Sequence, residues 1–168
     1  MTVIKLAKLS LLISIGLVLF VIESFIPLPV PFMKLGIANI VSIIALYIYG
    51  IKDSLIVTIF RIIIGSLIVG MFFNPLFFVA IGSGIMAVLV MGFVKLLFKD
   101  VFSPIGVSIG GAFAYNITQL LIYYFLIIKK LEIFNLIPFF FFLSPITGFL
   151  TGFVALIVLE KGKGKISF

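Results

Sequence analysis

The residues able to do chemistry in this chain are few, and most of them interrupt long runs of apolar side chains. Arg61 stands inside the run 54–70, Asn39 inside 35–50, and Asn116 and Gln119 inside 104–128, with Tyr115 and Thr118 beside them. In hydrocarbon a polar side chain costs free energy unless it finds a partner, so each of these marks a bond between helices or a contact with a ligand. Counting ~1.5 Å per residue from Ser54 places Arg61 about 10 Å from the inner edge of a membrane, where a central arginine costs roughly 2.5–3.5 kcal/mol. It therefore faces protein or a cavity. Two roles fit: an arginine that satisfies helix carbonyls or snorkels inward, and a counter-charge to an anionic ligand group. Asn116 and Gln119 are three residues apart and so project from nearly one face of a helix. Interhelical hydrogen bonds, averaging about 0.6 kcal/mol each, account for such amides. So does a pocket open to the outside, since Asn39, Asn116 and Gln119 all fall at the midplane or on the outer half.

Two further features lie at the outer side. Glu23 ends the first apolar run, too far from Arg61 along the membrane normal for a direct ion pair, and suits a loop-packing or capping role, with ligand contact as the alternative. Pro27, Pro29 and Pro31 occupy alternate positions in the following loop. That spacing favours a stiff, extended segment, either laid across a pocket mouth or acting as a rigid connector.

Other chemistry is excluded by what is missing. With no Cys and no His, disulfides, thiolate or imidazole metal sites, haem ligation and Cys- or His-dependent nucleophilic catalysis fall together. Asp53 and Asp100 each stand alone, whereas holding magnesium and a diphosphate takes clustered carboxylates. Gly82-Ser83-Gly84 lacks the lysine and spacing of a P-loop. Ser108-Ile109-Gly110-Gly111-Ala112 lacks the flanking aspartate and final threonine of a flavin-attachment sequence. A binding or transport subunit with no cofactor and no metal is the expected class, not an enzyme.

The elements that must position these residues follow from composition. Of 168 residues, 64% are apolar and only 10% are charged, against a soluble norm of about half and a quarter. The chain reads as one all-α integral membrane domain, residues 1–168, with spans near 6–25, 35–50, 54–70, 75–97, 104–128 and 136–159. Continuous apolar runs argue against a β-barrel, whose strands alternate. The first run is too long for a signal-peptide core and Glu23-Ser24-Phe25 is no cleavage site, so it is expected to remain as a helix. Gly50-Ile51-Lys52-Asp53 predicts a tight hairpin, with Gly50 ending one helix and Asp53 capping the next. Lys5, Lys8, Lys52, Lys95, Lys99, Lys161, Lys163 and Lys165 fall on the N-terminal side of the spans, against Lys34, Lys129 and Lys130 on the other. Both termini are thus expected to be cytoplasmic in a multi-pass protein of the cell membrane. The net charge of +7 reports topology here, not nucleic acid. Gly106-x-x-x-Gly110 and Gly148-x-x-x-Gly152 offer close helix packing, and Ser10-x-x-x-Ser14 offers a small-residue face to a partner subunit.

Lys34-Leu35-Gly36-Ile37-Ala38-Asn39-Ile40, Gly50, Arg61 with Gly65, Gly70, Pro75, Ser103 through Ser108, Gly111-Ala112, and Asn116 with Gln119 together resemble a known family. This is the Gx transporter family, also labelled heptaprenyl diphosphate synthase component I, related to the S components of energy-coupling factor (ECF) transporters. The resemblance spans nearly the whole chain. It implies a six-helix membrane protein, resembling an ECF S component, that captures a vitamin-like compound outside and delivers it with a transmembrane scaffold (T) subunit and two ATPases. Helix 1 of such proteins carries an alanine-x-x-x-alanine face for the scaffold, and here Ser10 and Ser14 occupy that place. The family often has histidine before the span-five asparagine, where this chain has Tyr115. The candidate substrate-binding set is Lys34, Asn39, Arg61, Tyr115, Asn116 and Gln119. The family's synthase label leaves a second reading, an accessory role in isoprenoid or quinone metabolism or in flavin- and quinone-linked electron transfer, and a purely structural scaffold is a third.

Overall fold

The computed structural model describes residues 3–26, 35–98 and 101–163, and these are helical wherever they form regular structure. The helices are α1 (Val3–Ser24), α2 (Asn39–Ile48), α3 (Ile51–Ile68), α4 (Pro75–Phe98), α5 (Pro104–Tyr123) and α6 (Ile137–Lys163). A π-helical turn, Tyr124–Ile128, prolongs α5, and a 3-10 stretch, Leu131–Leu136, leads into α6. Prolines open α4 and α5, where their missing N–H costs nothing.

Among the described residues, four segments are long and apolar enough to cross a membrane: α1, α4, α5 with its π-helical end, and α6 with the 3-10 turn before it. The other two helices differ from expectation. α2 has ten residues, about 15 Å of rise, or half of a ~30 Å hydrocarbon layer. The apolar run 35–50 is longer than its helix because Gly36, at φ +75°, takes a left-handed turn that most side chains resist. Asn39 N–H then donates to Gly36 O at 2.8 Å, and the helix starts only there. α3 has 18 residues but carries Lys52, Asp53 and Arg61.

The α2–α3 hairpin turns at Gly50, whose φ of 93° ends one helix and begins the next. Asp53 is not the capping residue, a correction to the sequence reading. The helix starts at Ile51, so Asp53 falls within the first turn. There its carboxylate meets the positive end of the helix dipole and accepts from Lys5 Nζ at 2.7 Å, tying α3 to α1. Two buried bonds lock the hairpin: Ser42 Oγ to Thr58 Oγ1 at 2.7 Å, and Ser54 Oγ donating to Ser42 O at 2.7 Å.

α2 is central, packing on α1, α3, α4 and α6, while α5 lies between α4 and α6. α5 and α6 approach backbone to backbone. A Cβ on Gly148 would stand 2.6 Å from Ile109 Cα, and one on Gly152 would stand 2.6 Å from Ile105 Cα. The Gly106/Gly110 pair works differently, since a Cβ on Gly106 would meet the nearby Phe102 ring and one on Gly110 only Val94 at 3.5 Å. Large apolar side chains, among them Leu11, Val18, Phe93, Leu96, Phe141 and Phe142, cover the outside of the bundle. Such a surface is at home against lipid.

Pro145 lies inside α6 and removes one backbone donor. Hydroxyls nearby bond to carbonyls of the same helix: Ser144 Oγ donates to Phe140 O at 2.6 Å and Thr151 Oγ1 to Thr147 O at 2.8 Å.

Candidate functional site

Asn39 opens α2 and faces the middle of α3. Arg61 Nη2 donates to Asn39 Oδ1 at 2.5 Å, and the guanidinium is buried, with 3% of Arg61 exposed. Its stem has room because α1 presents Gly16, where a Cβ would lie 3.0 Å from Arg61 Cδ and 2.6 Å from Val41 Cγ2. Arg61 Nε has no hydrogen-bond partner among the described residues.

Glu23, in the last turn of α1, accepts the Gly36 N–H through Oε1 at 2.5 Å. That hydrogen bond joins the end of α1 to the start of the α2 turn, the capping role its position suggests. Glu23 and Arg61 form no direct ion pair, but they line one cavity together with Phe20, Gly36, Asn39, Ile62, Ala80 and Tyr115. The depth that was to keep them apart is smaller than expected. Because α3 starts at Ile51, Arg61 sits about 15 Å above its beginning instead of about 10 Å.

A second cavity adjoins the first, sharing Gly36, Asn39 and Tyr115 as wall residues. It is otherwise lined by Asn116, Ser108, Thr147, Thr151, Met91, Gly111, Ala112 and Leu35. Asn116 Nδ2 donates to Ser144 Oγ at 2.8 Å, while its Oδ1, buried, has no partner among the described residues. Ser108 and Thr151 hydroxyls bond each other at 2.8 Å. Each cavity holds about 10 Å³, which is space for a single water.

Of the residues singled out from the sequence, Asn39, Arg61, Tyr115 and Asn116 come together here. Gln119 is fully buried one turn farther along α5 and lines neither cavity. Lys34 and the proline-rich loop, 27–34, lie outside the described residues. Ser10 and Ser14 are on the exposed side of α1, with Ser14 Oγ donating to Ser10 O at 3.0 Å. The sequence reading did not single out Thr147, Thr151 or Ser108 as polar wall residues. A signal existed for the first two, since Ser144, Thr147 and Thr151 fall at i, i+3 and i+7 on one helical face.

A helical bundle coated with apolar side chains, holding an arginine and amides around small internal cavities, defines an integral membrane protein with a polar interior site. Within that class the chain belongs to a particular family: residues 12–158 match the model of the heptaprenyl diphosphate synthase component I family. No curated protein and no solved structure matches the chain.

Proposed function

We propose that this chain is a non-catalytic substrate-binding subunit of the ECF S-component kind. It resides in a bacterial-type cytoplasmic membrane, crosses it six times with α2 and α3 packed as a pair, and keeps both termini inside. It captures a vitamin-like or other small organic micronutrient from the outer side, and separate scaffold and ATPase subunits energise delivery. The observation that carries this reading is the convergence of Arg61 and Asn116, each buried and each with an unpartnered polar atom, on adjoining cavities. Each such atom costs about 1–3 kcal/mol unless a water or a ligand group in its cavity meets it, so the two cavities are places where something other than the helices completes the bonding. The exposed Ser10/Ser14 face of α1 supports a partner subunit at that helix.

The test is retention of small molecules by the solubilised protein, read by mass spectrometry. Asn116→Leu is expected to lose the retained compound while the protein still inserts and elutes as a single species. Loss of folding together with loss of the compound would instead assign Asn116 to interhelical bonding. Ser14→Leu is expected to abolish co-purification of the scaffold and ATPases and leave retention intact; unchanged association would remove the docking role from this face.

The family's own description favours a second reading, an accessory membrane component in prenyl diphosphate synthesis. Depleting the chain would then lower long-chain product formed in membranes by a matched soluble synthase subunit, and an unaltered yield would dispose of it.

A further inference from the structure

We propose that the cavity walled by Ala112, Asn116 and Thr147 binds one ordered water, which serves as the middle rung of the α5–α6 seam. The proposal concerns how these helices are bonded and does not rest on the binding-subunit reading. Two direct side-chain bonds join them: the Ser108 and Thr151 hydroxyls at 2.8 Å, and Asn116 Nδ2 donating to Ser144 Oγ at 2.8 Å. On α5 these rungs are eight residues, about 12 Å, apart. Ala112 lies halfway between Ser108 and Asn116, and on α6 Thr147 lies between Ser144 and Thr151. At the midpoint of the seam, then, a hydroxyl on α6 faces only a methyl on α5. The cavity is at that place, lined by Ser108, Ala112, Asn116, Thr147 and Thr151.

Counting protons shows what this rung needs. Ser144 Oγ spends its proton on Phe140 O, so towards Asn116 it can only accept, and Asn116 turns Nδ2 to it and keeps Oδ1 for another donor. Asn116 is 3% exposed and that Oδ1 has no partner among the described residues. Thr147 Oγ1 spends its proton on Leu143 O, and Thr151 Oγ1 on Thr147 O. Their hydroxyl oxygens remain acceptors. A group with two protons to give is required, and none of the wall residues on α5 or α6 supplies it. Asn116 and Ser144 also border an apolar hollow with Ile117, Leu120, Phe140 and Phe141, where a water would find no third polar partner. In the polar cavity a water donates to Asn116 Oδ1 and Thr147 Oγ1, and Tyr115 and Asn39 on the adjoining wall carry the O–H and N–H donors it can accept from. The volume of about 10 Å³ admits one such molecule. A monovalent cation is small enough too, but no carboxylate lines this cavity to balance its charge.

The experiment uses the full chain in lipid bilayers, with side-chain amides labelled with nitrogen-15, and reads polarisation transfer from water protons by solid-state NMR. Gln119, the single glutamine of the chain, is fully buried and lines neither cavity, so its amide is the internal reference. The Asn116 amide is expected to gain signal from water several-fold faster than Gln119, and to do so equally when sodium and potassium are replaced by choline. Equal rates at the two amides overturn the proposal, and so does a gain that depends on the cation. Unfolding in mixed micelles adds a second arm, in which Ala112→Thr and Ala112→Val place side chains of one shape, with and without a hydroxyl, where the water sits. The threonine variant is expected to keep a folded-to-unfolded ratio roughly ten- to a hundredfold above that of the valine variant, since only a hydroxyl can take over the bond to Asn116. A valine variant as stable as the threonine one would show an apolar rung and overturn the water. The NMR arm uses the unaltered protein and so does not depend on either variant folding.

Discussion

Asn39→Leu lowers the stability of the folded chain by about 2–3 kcal/mol, and the double variant Asn39→Leu/Arg61→Leu is more stable than Asn39→Leu alone. The reason is the asymmetry of the pair. Asn39 Oδ1 is the acceptor for a guanidinium that is 3% exposed and whose Nε is already unsatisfied. Removing the amide leaves a buried charge with no hydrogen-bond acceptor, whereas removing both groups leaves two apolar side chains beside Gly16 and Val41. Arg61→Leu alone strands only a neutral, half-buried amide and costs less. Reversible unfolding in mixed micelles, followed by circular dichroism, measures all three. A double variant no more stable than Asn39→Leu would show that the guanidinium has other means of satisfaction and would remove Asn39 as its anchor.

The second large effect concerns the α5–α6 seam, where two alanine substitutions in glycine pairs of identical spacing have opposite outcomes. Gly148→Ala destabilises by about 1–3 kcal/mol, because the new methyl meets the backbone of Ile109, which cannot step aside as a flexible side chain can. Gly152→Ala behaves alike, against Ile105. Gly110→Ala is neutral or stabilising by up to about 1 kcal/mol, the ordinary helix preference of alanine over glycine, since its nearest neighbour lies at a normal contact distance. The same unfolding measurement separates the cases. Equal responses at Gly148 and Gly110 would mean that α5 and α6 do not meet along Gly148 and Gly152.

Much of this arrangement could be read from residue types alone. The borders of α4 and α5 were visible because Pro75 and Pro104 begin apolar stretches of spanning length. Arg61, Asn39 and Asn116 stood out because hydrocarbon penalises them, so their presence required an explanation before any contact was known. The start of α2 was hidden, because Leu35-Gly36-Ile37-Ala38 continues the apolar run and nothing in composition reports a left-handed glycine. That error propagated: with α2 begun too early and α3 begun too late, Asn39 was placed a turn inside its helix instead of at its start, and Arg61 too near the start of its own. Thr147 and Thr151 were missed for another reason. A threonine hydroxyl in a helix can bond to a carbonyl one turn back, as both do here, so it carries little of the penalty that draws attention to an amide.

The shortness of α2 bears finally on how the chain enters a bilayer. An insertion machinery that weighs one segment at a time favours about 20 apolar residues and disfavours charge near a segment's centre. α2, with ten residues, falls short on length, and α3 is burdened by Arg61 near its middle. Neither is a good passenger alone. Joined by the Ser42–Thr58 and Ser54–Ser42 bonds, and with Asn39 accepting from the arginine, they satisfy several of each other's polar groups as a unit. On the six-span proposal, α2 is expected to partition into lipid only together with α3, once Gly50 has turned and the hairpin can enter as one piece.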